Sequence, residues 1–373
     1  MKRISLFLLL FLLLKATVMY SQDGHPETNF RIVPVSPNAA SLGTYGLIPT
    51  DNYVGQARIS IPIYEIDLDG KKFPIALSYH TDGTRVAQEA TWIGLGWTLQ
   101  AGGCVVRQVQ GTDDFAARGC YNLTDAPWLT NPRFEVTDQN LEKYMGYFKG
   151  DYDAEPDMFY FNAGGHSGSM YFDVLKNNRQ LNAVPTIQTQ EKVVKMVYNT
   201  SNKTWTMTDL EGYVYSFSTK EITYYFLNTI DFFQTDITRS HIFPYYNEPQ
   251  IVTAWMLDSV TSPNGGKITF SYKKESIFTP ISTTEDVISL SKIVNGQLSS
   301  QSPQYFTNKF NYNYSYSKIE QWTLSAITFE GGKVEFGTTD REDIESAETG
   351  KKVQKLSSIK VSDTAGNLIK TTM

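Results

Sequence analysis

Along much of the chain apolar and polar residues take turns in short runs, and glycine-rich turns separate the runs. Ile59-Ser-Ile-Pro-Ile63 and Phe73-Pro-Ile-Ala-Leu-Ser-Tyr79 flank Asp67-Leu-Asp-Gly70, which predicts a hairpin with one buried face. Pro62 and Pro74 have no N–H to give to a ladder, so each is expected where its strand faces no partner. The same pattern predicts paired strands at Asp157–Phe161 and Ser169–Asp173 around a Gly164–Gly168 turn, and at Trp205–Thr208 and Tyr213–Phe217 around Asp209–Gly212.

Between Trp92 and Arg107 four glycines and two tryptophans share sixteen residues. Small residues let the backbone approach bulky rings, so this block is expected to be a strand from about Leu95 to Gln100, a Gly102-Gly103 turn or bulge, and a return strand over Cys104–Arg107. The last third repeats a unit. Trp255–Val260, Pro263-Asn-Gly-Gly and Lys267–Tyr272 are matched 67 residues later by Trp322–Ile327, Glu330-Gly-Gly and Lys333–Phe336, and a weaker copy runs Leu356–Ile359, Ala365-Gly-Asn, Leu368-Ile369. Each copy is strand, glycine turn, strand. A lone hairpin cannot hide its apolar face, so the copies must stack. Ser299–Ser317 reads as a polar, tyrosine-rich insertion, and helices are expected only over Val136–Lys149 and Thr283–Val294.

The fold expected is mainly β: an antiparallel, sandwich-like N-terminal region followed by stacked hairpins, with few short helices. The chain divides into a leader at 1–21, an extended lead-in at 22–50 that is rich in proline, a β-rich module at 51–220 and a degenerate hairpin array at 221–373. Composition agrees, with aromatics at 13% and charged residues at only 19%, a balance that favours strands over a helical bundle.

Lys2-Arg3 before the apolar run Ile4–Leu14 reads as a signal peptide, with cleavage expected after Ser21 and a secreted or cell-surface destination. The run is too short for the roughly 20 apolar residues of a spanning helix, and no later segment reaches that length, so no transmembrane segment is expected after cleavage. Removing that leader leaves 30 basic against 39 acidic residues, a charge of −9, which argues against a nucleic-acid partner. Export permits a disulfide. Cys104 and Cys120 either pair or sit as two separately buried thiols.

The block Ser78-Tyr-His-Thr-Asp-Gly-Thr-Arg-Val-Ala-Gln-Glu-Ala-Thr-Trp-Ile-Gly-Leu-Gly-Trp-Thr-Leu-Gln-Ala-Gly-Gly103, with Pro37-Asn-Ala-Ala-Ser-Leu-Gly43 and Ile59–Tyr64 upstream, resembles the N-terminal region of bacterial Rhs/YD-repeat proteins. It is also similar to the plasmid-virulence-type module of toxin-complex subunits. The resemblance covers about residues 37–110 and thins out through the hairpin copies. It implies a spiral of strands building a hollow shell, a non-catalytic structural role in toxin delivery or at the cell surface, and as partner a downstream Rhs/YD-repeat chain or effector. The chain departs from the family where no clear tyrosine-aspartate repeat, no Asp-Pro-x-Gly motif and no effector follow, which implies a shortened member, a split gene or a fragment.

Trp92, Gly94, Gly96, Trp97, Gly102 and Gly103 are therefore expected to shape strand pairing and not to bind a substrate. Two rival classes remain. A carbohydrate- or surface-binding β-sandwich would use exposed aromatics, with Trp128 in its proline-flanked loop as the residue for ligand contact. A secreted hydrolase would have to use Gly165-His-Ser-Gly-Ser169, where Ser169 stands in place of the second elbow glycine and a strand, not a helix, follows. No cofactor is expected, since Gly94-Leu-Gly96 lacks the third glycine of a dinucleotide fingerprint. No metal is expected either, since the four histidines are far apart in sequence. Carboxylate pairs such as Asp113 with Asp114 or Glu155 with Asp157 are expected to be solvated loop acids.

Overall fold

The computed structural model describes residues 36, 38, 58–80, 88–111, 113–116, 119–121, 141, 145, 153, 155–173, 184–188, 194–231, 250–280, 282–289, 293–294, 297–298 and 308–372. The leader, nearly all of the lead-in and Trp128 lie outside the described residues. Of the helix expected over Val136–Lys149, only Leu141 and Met145 are described; both are helical and nearly half exposed.

The fold is almost wholly antiparallel β. Strands β1 (Arg58–Leu68) and β2 (Lys71–His80) form the expected hairpin. Asp69 and Gly70 close it at φ 51° and 91°, the positive pair that a type I′ turn requires, and the Gly70 N–H donates to Asp67 at 2.8 Å. Strand β3 (Trp97–Gln100) adds to β2 only from Ala76 to Tyr79. Pro74 thus lies beyond the reach of β3, while Pro62 sits at a bulge on the sheet's outer strand.

A second sheet holds fourteen strands. Its main path runs β19 (Leu368–Thr372), β18 (Gln354–Ser362), β17 (Gly332–Asp340), β16 (Asn308–Phe329), β10 (Val214–Asp231), β11 (Gln250–Thr261), β4 (Gly103–Gln108), β5 (Met158–Ala163), β6 (His166–Tyr171) and β7 (Thr186–Ile187). Off this path, β8 (Val194–Asn199) pairs β9 (Thr204–Asp209), which pairs β10; β12 (Lys267–Phe278) joins β11 and β16; and β13 (Ser282–Ser289) lies on β16. The short strands β14 (Ile293–Val294) and β15 (Gln297–Leu298) pair by themselves. All three hairpin copies form, as β11–β12, β16–β17 and β18–β19.

Four expectations are corrected. The return strand after Gly102-Gly103 does not pair with β3, because the chain crosses to the other sheet there and β4 lies between β5 and β11. The reason is burial: Gly103 to Arg107 are all buried, and an interior strand of the large sheet covers both of its edges. The described residues of Thr283–Val294 are strand, not helix. Ser282–Ser289 runs antiparallel to β16 over eight residues, and its β-branched Thr, Val and Ile favour that ladder. Asn308–Ser317, read as insertion, is the first half of the 22-residue β16. The β5–β6 turn is only Gly164-Gly165, both at positive φ, so His166–Gly168 are strand.

The two cysteines are not bonded to each other. Cys104 packs with Val106, Ala254 and Met256, whereas Cys120 belongs to the main core. That core runs between the two sheets, and its centre is aromatic: Trp205 lies 4.8 Å from Tyr198, 5.3 Å from Phe159 and 5.6 Å from Phe172, ring centre to ring centre. Trp255 meets Trp205 edge-on and donates its indole N–H to the Lys203 carbonyl at 2.8 Å. Such rings each bury a large area and gain further from tilted and edge contacts.

Candidate functional site

Four of the signature residues, Trp92, Gly94, Gly96 and Trp97, lie in one clasp, and Gly102 and Gly103 lead from β3 into β4. Gly94 to Trp97 is a turn closed by the Trp97 N–H on the Gly94 carbonyl at 3.2 Å, and Gly96 takes the φ of 75° that the third turn residue needs. The Thr91 hydroxyl donates to the Trp97 carbonyl at 2.7 Å and accepts the Ile93 N–H at 3.2 Å. Trp92 is buried, its ring edge-on to Phe336 of β17 at 6.3 Å. Its carbonyl accepts the Leu356 N–H of β18 at 2.8 Å, and its own N–H donates to Asn38 at 2.8 Å. From the far side Arg341, itself held by Asp343, donates to the carbonyls of Ala90 and Thr91 at 3.2 Å. Trp97 packs on Tyr79 of β2 at 5.1 Å.

This one loop therefore joins the small sheet, the lead-in and the β17–β18 hairpin. All the polar contacts named run between groups of the chain itself. Beside it the lead-in is pinned: the Ser36 N–H donates to Glu221 at 2.8 Å, and the Ser36 hydroxyl also donates to that carboxylate. Glu221 is fully buried, and burial raises its pKa, with the Ser36 bonds pulling the other way.

The second cluster was missed by sequence reasoning. Asp114 and Asp157 are not solvated loop acids: neither is exposed. Arg107 of β4, equally buried, donates Nε to Asp157 at 2.7 Å and bonds Asp113 as well, while its guanidinium lies 4.7 Å from the Phe115 ring centre. Asp157 also accepts the Gln110 N–H at 2.7 Å, and its own N–H donates to Asp114 at 2.6 Å. The remaining oxygen of Asp114 and the Tyr121 hydroxyl are buried without a hydrogen-bond partner. Burial, reinforced by the Asp157 charge, pushes the Asp114 carboxyl up to about 8. Arg107 bonds Asp157 and not Asp114, so of the two buried carboxyls Asp114 is the one whose charge the guanidinium compensates less. The only sequence signal was the acidic spacing around an arginine inside an apolar run, which does not show burial.

A third group ties the sheets together. Lys71, at the start of β2, donates to Asp209 at 2.5 Å and to Glu211 at 2.9 Å, with the Tyr213 ring 4.9 Å below it. Burial would raise the Asp209 carboxyl, but Lys71 and the Tyr213 N–H outweigh it and hold it below the usual range. The Gly165–Ser169 segment lies here: His166 faces Asp209 at 3.8 Å, and Ser167 stands opposite Asn162 in the β5–β6 ladder. That is a hairpin, not a strand-to-helix elbow. Trp92, Trp205 and Trp255 are buried and offer no stacking platform to a sugar. Among the described residues no three His, Cys, Asp or Glu side chains converge as a metal site, and no helix is long and apolar enough to cross a membrane.

The class defined by this architecture is an antiparallel β-hairpin array with a small sheet clasped onto it. No family model matches the chain, and no curated protein matches it. Solved structures do. The complex TcdB2–TccC3–Cdc42 aligns at a TM-score of 0.31 and 11% identity, over 83% of this chain and 13% of that one. The Tc holotoxin pore of Photorhabdus luminescens aligns at 0.34 and 9%, over 89% and 13%. The chain thus spans about an eighth of the length of each.

Proposed function

We propose that this protein is a non-catalytic, exported wall segment of an Rhs/YD-type shell, and that it works by giving its hairpin array to a larger strand assembly of toxin-delivery or cell-surface character. The observation that carries the reading is the succession of glycine-turned hairpins in one sheet whose last strand, β19, has one edge to which no described strand pairs. The clasp supports it, since Trp92 bonds β18 and packs on β17 while Trp97 packs on β2. The leader at 1–21 supports export. The partner is a strand-bearing chain of the same kind, which a photo-crosslinking residue at Thr371 of β19, introduced in the producing cell, would capture. The expected product is a crosslink to a β-hairpin chain in the exported fraction. A protein that stays inside the cell and crosslinks to nothing would end this reading.

A further inference from the structure

We propose that the cleft between the two sheets is a binding site for a small, uncharged, mostly apolar molecule. The cleft measures ≈ 300 Å³. Ile66, Ile75 and Leu99 wall it on the small-sheet side, and Ile268, Phe270 and Ile327 on the other; all six are buried core residues. Sheets that pack face to face normally interdigitate their side chains. Here the chain crosses at Gly102-Gly103 and turns at Gly164-Gly165, so main chain without side chains borders the space. A Cβ at Gly165 would meet no atom within 4 Å, which leaves the mouth open. Walls of aliphatic and phenyl groups favour an apolar guest over water.

Charge and backbone narrow the class further. Lys72 is the one charged residue of the lining, and its ammonium is already 2.8 Å from Asp67 and 3.6 Å from Glu65. An ionic ligand would find no unpaired charge to bind. A peptide strand is disfavoured as well: β3 leaves Lys72–Ile75 of β2 uncovered beside the cleft, but Pro74 has no N–H for an added ladder. The site is independent of the shell role and would stand if that role failed.

The test is a ligand-observed NMR titration of the full chain with 1-octanol and with octanoate, its charged counterpart, in the parent and in Ile327→Phe and Ile268→Phe, which fill the space. Saturable octanol binding is expected, at least tenfold weaker for octanoate and at least tenfold weaker in either folded variant. Absence of saturable octanol binding, equal binding of octanoate, or unchanged binding in a folded variant would each overturn the proposal. If neither variant folds, the parent comparison of octanol with octanoate decides it.

Discussion

Gly103 and Gly165 are needed for different physical reasons, and the difference is measurable. A Cβ at Gly103 would lie 2.7 Å from the Ala163 Cβ and still closer to the Asn162 carbonyl oxygen across the β4–β5 ladder. Gly103→Ala should therefore cost about 2–3 kcal/mol, the scale of overpacking. At Gly165 there is room, and only the φ of +83° penalises a side chain, so Gly165→Ala should cost about 1 kcal/mol. Urea unfolding of both variants checks this, and equal losses would show that the β4–β5 approach tolerates a methyl group. Asp114 gives a residue-scale prediction in pH. Its folded pKa stands near 8 against an ordinary value of 3.8, so the folded chain holds a proton that the unfolded chain releases near pH 4. The stability it contributes is complete below pH 4 and is lost as pH rises to about 8, with a ceiling of about 1.4 kcal/mol per pH unit. Asp114→Asn should remove that slope from a series of unfolding curves between pH 4 and 8 and leave the variant the more stable form at pH 8. A parallel series would mean that Asp114 is ionised in the fold.

At the scale of elements, the clasp makes the β17–β18 hairpin depend on residues 250 positions earlier. Arg341→Ala would strip donors from the Ala90 and Thr91 carbonyls and should cost about 2 kcal/mol, in the range of charged hydrogen bonds. Amide exchange should speed up at Leu356 and Trp97 before the Trp205 core opens; a uniform change across the molecule would contradict a local clasp. The same elements explain what could be read in the sequence. Hairpins were legible where a period of two met Gly or Asp-Gly turns, as at Asp69-Gly70 and Gly332, because turn chemistry is local. The crossing at Gly102 was not legible, since a glycine pair marks a reversal and a change of sheet alike. β13 looked helical because its register is set by β16, a partner with no trace in the strand's own residues. The Asn-Tyr alternation at 311–316 did carry the strand period, and the polarity of the stretch obscured it. Trp92, Gly94, Gly96 and Trp97 came together around Thr91, whereas the Arg107–Asp157 cluster stayed hidden because burial of an acid depends on contacts across 50 residues.

For the whole molecule the question is which sheet edge invites another strand. Among the described strands β1 is an outer edge, but Pro62 and the bulge beside it interrupt its ladder. β7 has only two residues. β19 has five residues and no proline, and it leaves Leu368 and Ile369 at 64% and 54% exposure. Its Lys370 reaches the Ile63 carbonyl of β1 at 2.9 Å, which anchors the strand in place without pairing its outer edge. Natural sheets guard edges with brevity, bulges, proline or inward charge; β8 and β13 also have one edge to which no described strand pairs, and the β18–β19 register shifts once between Val361 and Ser362, but β19 adds two large apolar side chains exposed next to each other. The chain should therefore associate through β19 when its partner is withheld. Sedimentation velocity over a rising concentration series is expected to show growing species for the parent and a monomer for the double variant Leu368→Lys/Ile369→Lys, with both melting alike because neither side chain is buried. If the double variant associates as the parent does, the open edge lies elsewhere, and the wall would have to extend through a different strand.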